Sequence, residues 1–320
     1  MTPNTAEATV VITTKNRKDD LRKAVESALM QDAQPRVLVI DDGSTDGTSD
    51  MMRREFPQAQ LDRVEQSRGL IVQRNRGAAL AQTPLIVSID DDAVFSTPRV
   101  VSQTIAEFDD ARIGAVGIPF VDVNQDNIVK QLAPDARGIY VTGSYKGTAH
   151  ALRREVFLGL GGYREFLFHQ GEEEDYCIRM LAAGYVVRLG RADPIHHFES
   201  PKRDVRRMDL FGRRNNVLFA WCNVPLVDLP KRLLGTTING IWFGIRARRL
   251  PRMIHGLVLG YLGIPRYWRQ RQPVPRACYR LDRMLLRQGP TELSRITFEW
   301  QRDGIDLSRP QRSAGPMEPP

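Results

Sequence analysis

Asp90, Asp91 and Asp92 are three consecutive carboxylates ending an apolar run, Pro84-Leu-Ile-Val-Ser-Ile-Asp-Asp-Asp-Ala-Val94. Like charges this close repel one another unless a cation sits between them. Two oxygen ligands plus substrate phosphates are what Mg²⁺ or Mn²⁺ commonly receives. A second acidic pair, Asp41-Asp42, closes another apolar run and opens the turn Gly43-Ser44-Thr45-Asp46-Gly47. A carboxylate there can accept from a base N–H or a ribose hydroxyl, although the same string is also a good turn. Arg74, with Asn75 and Gly77, lies in the segment that feeds the triplet, where a guanidinium could meet phosphate bidentately. Gly171-Glu172-Glu173-Glu174-Asp175-Tyr176 opens a predicted helix. The macrodipole favours acids there, but four in a row exceed what capping needs. Crowding raises the pKa of at least one of them, which suits a general base. His196-His197 follow about twenty residues later, and an imidazole nitrogen could complete a Mn²⁺ shell.

Positioning these groups requires a particular scaffold. Residues 9–14 (TVVITT) and 36–40 (RVLVI) read as strands, with an amphipathic helix between them at 18–31 built on Leu21, Ala24, Val25, Ala28 and Leu29. Strand–helix–strand implies a right-handed βαβ unit with a parallel sheet. A helix from Thr48, a short strand near Leu61–Glu65 and a helix from Gly69 to Ala81 lead into a buried strand over 84–94. Both acidic clusters then fall at the carboxyl edge of the sheet, where open α/β sheets bind ligands. The Gly-rich dinucleotide motif is absent. Strands are predicted at 113–118 and 138–152, the latter broken by Gly143 and Gly147 and partly antiparallel. A short helix over Arg153–Leu160 ends at Gly161-Gly162, and a helix over Glu172–Ala183 closes at Gly184 before a strand at Tyr185–Leu189.

The chain has 320 residues and a net charge of +8. That length suffices for one large domain or two unequal ones. Its three cysteines are far apart and form no CxxC pair, which excludes a disulfide framework or a cysteine zinc site and fits a reducing cytosol. The first residues lack the basic and apolar regions of a signal peptide, and no run reaches the roughly 18 apolar residues needed to span a bilayer. The positive charge is concentrated: residues 201–290 hold 19 Lys and Arg against 4 Asp and Glu. Leu233–Ile245 and Met253–Ile264 are uncharged, largely apolar stretches flanked by arginines, a pattern that suits helices lying in a membrane interface, with a helical subdomain packed on the sheet or a dimer contact as the alternative. Nucleic acid is not expected as a partner, since no helix-turn-helix, RRM or zinc pattern occurs.

Five segments in order resemble the inverting glycosyltransferases of family 2. They are VVITTKNR with VLVIDDGSTDGT, RNRGAALAQTPLIVSIDDDAV, the stretch from GTAHALRR to GYVVR, HHFESPKRD and RRNNVLFAW. The resemblance covers about residues 8–220. It implies the GT-A fold: an α/β, Rossmann-like mixed, mainly parallel sheet flanked by helices. The expected layout is a nucleotide-sugar and catalytic domain over 1–200, a basic helical extension over 201–307 and a disordered tail over 308–320.

The family's roles carry over by position. Donor binding falls to Thr14, Asn16, Asp41, Asp42, Arg74, Asn75, Asp90, Asp91 and Arg214, with Asp42 reading the nucleobase. Asp90 and Asp92 match the ends of the DXD motif, and His196 fits the family's metal-binding histidine better than His197. The family base lies six residues before the helix arginine; counting back from Arg179 gives Glu173, where the family usually has aspartate, so Glu172 and Asp175 remain alternatives. Lys15 stands where the family often stacks an aromatic on the base. The implied reaction is a single displacement on a UDP-, dTDP- or GDP-linked sugar, assisted by Mg²⁺ or Mn²⁺. The implied acceptor is a cell-envelope glycan or a lipid-linked saccharide. The expected setting is cytoplasmic, peripheral at the inner face of the cell membrane on anionic lipid, with a homo-oligomer open. Two rivals are a catalytically silent binding protein on the same fold and a sugar nucleotidyltransferase. The latter would want a glycine-rich phosphate loop that TTKNRKD lacks.

Overall fold

In β1 (Ala8–Thr14) every residue is buried, as expected of a central strand covered by helices on both faces. The structure, a computed structural model, describes residues 6–199 and 204–296. After β1 the chain alternates through α1 (Lys18–Leu29), β2 (Arg36–Asp41), α2 (Thr48–Glu55) and β3 (Gln60–Arg63), moving outward in one direction. It then returns through α3 (Leu70–Leu80) to β4 (Leu85–Asp90), on the other side of β1. Side chains of β1 and β2 alternate between two cores. Val10, Ile12, Val37 and Val39 face one, with Leu21 and Val25 of α1. Val11, Leu38 and Ile40 face the other, with Ile71 and Ala78 of α3. Gly77 lets α3 lie flat on the sheet, since a Cβ there would come 2.5 Å from Val11 Cγ1.

The triplet is not the end of a single strand. β4 stops at Asp90, Asp91 and Asp92 form a turn, and β5 (Ala93–Phe95) belongs to a second sheet. There follow α4 (Val100–Ala106), β6 (Ile113–Gly117), β7 (Phe120–Asp122), β8 (Val129–Lys130), β9 (Tyr140–Thr142), β10 (Ala149–Arg153), α5 (Arg154–Gly159), α6 (Glu172–Ala182), β11 (Val186–Leu189) and β12 (Ile195–His197). The predicted strand at 138–152 is thus two strands, β9 and β10, with Gly143 and Gly147 in the break. α7 (Val205–Asn223), α8 (Leu229–Arg246), α9 (Leu250–Arg266), α10 (Arg276–Gln288) and β13 (Thr291–Glu292) complete the described chain.

Among the described residues the main sheet has the order β13-β9-β11-β6-β10-β4-β1-β2-β3, and the small one β5-β12-β7-β8. β1 is parallel to β2 and β4, while β10 runs antiparallel between β4 and β6. The sequence reading set residues 201–307 apart as an extension. Within the described part, β13 pairs with β9 and α10 packs against α6, so the chain returns to the main sheet after the basic helices. The tail expected over 308–320 lies outside the described residues.

Candidate active site

The connection from β1 runs to β2 on one side, and the one from β3 crosses back to β4 on the other side of β1, so a crevice opens at the carboxyl ends. Strand register aligns those ends: Thr14 pairs with Asp41, and Thr13 with Asp90. The crevice is an open cleft of about 690 Å³, lined among others by Thr14, Lys15, Arg17, Asp42, the Asp90–Asp92 turn and His197. Its far wall comes from Phe168, His169 and Gln170 before α6 and from Asp204, Arg207 and Met208 at the start of α7.

β5 and β12 bring the acidic turn to a histidine by pairing Ala93 with His197 and Val94 with His196. Neighbouring strand residues point to opposite faces. It is therefore His197, not His196 as the sequence reading preferred, whose Nε2 lies 3.3 Å from Asp92 Oδ1. One ligand atom each from Asp90, Asp92 and His197 lie within 4.8 Å of one another. Asp122 Oδ1 accepts from His197 Nδ1 at 2.6 Å, which leaves Nε2 facing the cluster. A ligand imidazole is typically oriented by such a carboxylate. Two carboxylates and an imidazole match Mn²⁺ or Mg²⁺ in donor type. Arg17 stands beside them, its Nη1 2.5 Å from Asp92 Oδ2 and 3.4 Å from Asp91 Oδ1. Burial opposes the charge on Asp92, but His197 and Arg17 outweigh it and lower its pKa. Asp91 is deeper; burial pushes it up to about 7 against the pull of Arg17 and the hydroxyl of Thr14, which donates to it at 2.7 Å.

Arg74 joins this cluster to α6. Its side chain is buried, with Nη2 2.8 Å from Asp90 Oδ1 and Nη1 3.3 Å and 3.4 Å from Glu172 and Glu173. Gly147 packs over the pair, where an added Cβ would press on the Glu173 carboxylate and the Arg74 guanidinium. Burial drives the pKa of both glutamates up, and the single guanidinium they share offsets this only in part. Asp42 sits at the opposite end of the cleft. It accepts from Ser67 Oγ, the backbone N–H groups of Arg68 and Gly69, and Gln73 Nε2. These donors overcome its burial and lower its pKa.

Residues 9–166, which carry β1 through the triplet and on into the loop before α6, match the family model described as glycosyl transferase family 2. Residues 9–166 belong to that family. The chain is also 31% identical over 197 residues to the succinoglycan biosynthesis protein ExoU of Rhizobium meliloti (strain 1021), covering 55% of this chain and 57% of that protein. It is 28% identical over 239 residues to a pre-mycofactocin glycosyltransferase of Mycobacterium tuberculosis (strain ATCC 25618 / H37Rv), covering 66% of this chain and 47% of that one. The chain spans about half the length of these curated relatives. In fold it resembles the mannosyltransferase PcManGT from Pyrobaculum calidifontis, solved with GDP-Man and Mn²⁺: the TM-score is 0.57 at 18% identity, over 94% of this chain and 85% of that one. S. aureus TarS in complex with UDP is similar at a TM-score of 0.52 and 16% identity, over 83% and 92%. The fold is GT-A.

Within this family 2 site, several residues named from the sequence face away from the cleft. Asp41 is fully buried and holds the turn, accepting from Ser44 N and Ser49 Oγ at 2.8 and 2.7 Å. Asn16 adopts a left-handed φ of 54° and accepts from Thr45 N, bracing the same turn. Asn75 clasps the backbone of Tyr163 with its Nδ2 and Oδ1. Asp175 is buried between Arg164 Nη1 at 2.7 Å and Arg179 Nε at 3.1 Å, and Asn223 donates to it. That pairing makes it a structural anchor of α6. Arg214 donates to the carbonyl of Phe166 and to Tyr267 Oη, outside the cleft lining. Arg207, two turns and about 10 Å nearer the start of α7, is the α7 arginine that lines the cleft. Sequence reasoning missed Arg17, Asp122 and Arg207. Only Arg17, directly after the first strand in TTKNR, left a readable trace.

Proposed function

We propose that the chain is an inverting glycosyltransferase. It would move a sugar from a nucleotide-sugar donor to an acceptor hydroxyl with the help of Mg²⁺ or Mn²⁺. The observation that carries this reading is the cluster of Asp90, Asp92 and His197 beside the cleft, tied through Arg74 to the carboxylates of α6. Asp90, Asp92 and His197 would hold the cation, which supplies positive charge to the diphosphate leaving group. Asp42 and Lys15 line the end of the cleft suited to the nucleoside. With Asp42 already accepting four internal hydrogen bonds, a base N–H would take the place of one of them. Arg17, Arg68 and Arg207 line the cleft, and Arg17 and Arg207 are proposed to meet phosphate oxygens.

Glu173 is the proposed base. It takes the acceptor hydroxyl proton as that oxygen forms a bond to the anomeric carbon. The bond from that carbon to the diphosphate oxygen breaks on the opposite face, so the configuration inverts. Burial raises the proton affinity of Glu173, as a base working near neutrality requires. Arg74 holds it in place. The GDP-Man, UDP and Mn²⁺ named with the similar structures support a nucleotide-sugar donor, and the succinoglycan role of ExoU supports an envelope glycan or lipid-linked acceptor. The proposed donor is GDP-, UDP- or dTDP-linked, and the proposed setting is the cytoplasmic membrane face.

Calorimetry with UDP, dTDP and GDP, with and without Mn²⁺, tests the reading. One nucleotide should bind only with the cation, and Asp92→Ala should abolish that binding. Binding that ignores both the cation and the substitution would overturn it.

A further inference from the structure

Helices α8 and α9 form a hairpin against α7, and their side chains are distributed in an unusual way for water. Five of the hairpin's glycines, Gly240, Gly244, Gly256, Gly260 and Gly263, face inward. A Cβ at Gly256 would meet Leu210 O at 2.6 Å and one at Gly260 would meet Val217 Cβ at 2.7 Å, both on α7. At Gly244 it would meet Leu250 Cα at 2.9 Å, where α8 meets α9. Leu229, Met253 and Leu257 are buried, but most of the other large apolar side chains point outward. Leu234, Ile238, Trp242 and Ile245 recur every three or four residues along α8, so they form one stripe. Val258 and Leu262 continue it on α9. Leu234, Trp242 and Leu262 are 62%, 60% and 68% exposed. Glycines packed against α7 beside an exposed row of large apolar side chains reverse the order that water imposes, and an apolar stripe of this length marks an interaction face.

The charges say what covers it. Residues 229–271 contain nine Lys and Arg and no Asp or Glu. Arg246 and Arg248 lie at the α8–α9 turn, Arg266 and Arg269 at the far end, and none of the four forms an ion pair among the described residues. An apolar stripe with free arginines at both ends matches lipid tails bordered by anionic headgroups. A protein partner would supply acids at defined points along the stripe. A second copy would bring the same cations against these. No helix among the described residues is long and apolar enough to cross a bilayer, so the hairpin would lie in the plane of the interface.

We infer that the outer face of α8–α9 docks on an anionic lipid surface. The inference does not depend on the catalytic reading, because lipid binding is measured without donor, acceptor or metal. The test uses the full chain and two vesicle types, phosphatidylcholine alone and phosphatidylcholine with an equal part of phosphatidylglycerol. The protein should sediment with the second type and far less with the first. Trp242→Ser combined with Leu262→Ser, both at exposed positions, should leave the melting temperature unchanged and weaken binding at least tenfold. Arg246→Gln with Arg266→Gln should weaken it about fivefold per charge removed. Three results would overturn the inference: no binding to either vesicle, binding unchanged in the serine variant, or a solution dimer that the serine variant disrupts while vesicles are ignored.

Discussion

Arg74 Nη2 lies 2.8 Å from Asp90 Oδ1, and through its other amino group the same guanidinium faces Glu172 and Glu173. One buried cation thus fixes the distance between the acidic turn that would hold the metal and the helix that would supply the base. Removing it leaves buried carboxylates uncompensated. Arg74→Ala is expected to cost about 3–5 kcal/mol in urea unfolding. Adding Glu172→Gln should recover part of that loss; a double variant no more stable than the single one would show that the charges are not coupled.

Glu173 and Asp175 of α6 are expected to separate by role. Glu173→Gln should lower kcat by about 10²–10⁴-fold while leaving nucleotide binding and melting temperature near those of the parent. Asp175→Ala should do the reverse in kind. It strips two buried arginines of their carboxylate, so a loss of about 3 kcal/mol or more is expected in unfolding. Full activity in Glu173→Gln would remove it as the base.

The raised proton affinities of Glu172 and Glu173 give two pH signatures. As a base, Glu173 works ionised, so the acid limb of the rate profile should lie above the ordinary glutamate value of about 4.3. For stability the sign is opposite. Burial pushes Glu172 up to about 8 in the folded chain. Between its ordinary value and that one, the folded state holds a proton that the unfolded state has lost. Stability contributed by this group is therefore fully present at low pH and declines as pH rises through that window. Melting temperatures of Glu172→Gln should fall less steeply over the same range.

His197 and His196 should differ sharply. His197→Ala is expected to weaken Mn²⁺ binding, measured by calorimetry on the full chain, and His196→Ala to leave it unchanged. Asp122→Asn, which weakens the carboxylate that orients His197 as well as its ion pair with Lys130, should cost about 10–100-fold in affinity.

Arg17 places a cation beside Asp92, where it would compete with a metal and could also meet phosphate. Arg17→Gln should tighten Mn²⁺ binding in the absence of nucleotide and weaken binding of the nucleoside diphosphate in its presence. A change of the same sign in both would argue against this double role.

Local patterning was enough to read much of this molecule. Branched apolar runs bounded by turn residues identify β1, β2 and β4, and the register of parallel strands puts Asp42 and the Asp90–Asp92 turn at one edge. Helical spacing and a closing glycine identify α6. These features depend on residues near one another in the chain, where periodicity and turn chemistry act directly. The lipid-facing reading of α8 and α9 likewise begins from apolar stretches between arginines.

Tertiary structure decided the rest. Strand pairing, not spacing, chose His197 over His196, because Ala93 sets the face that β12 presents to the turn. Asp122 and Arg207 reach the site from segments with no motif of their own. Asp175 and Arg214 carry the residue types of a site yet spend them on Arg164, Arg179 and the Phe166 carbonyl. A sequence states which groups can ionise or ligate. Which face they occupy, and whether a buried partner already holds them, depends on contacts between residues far apart in the chain, which only the packed structure specifies.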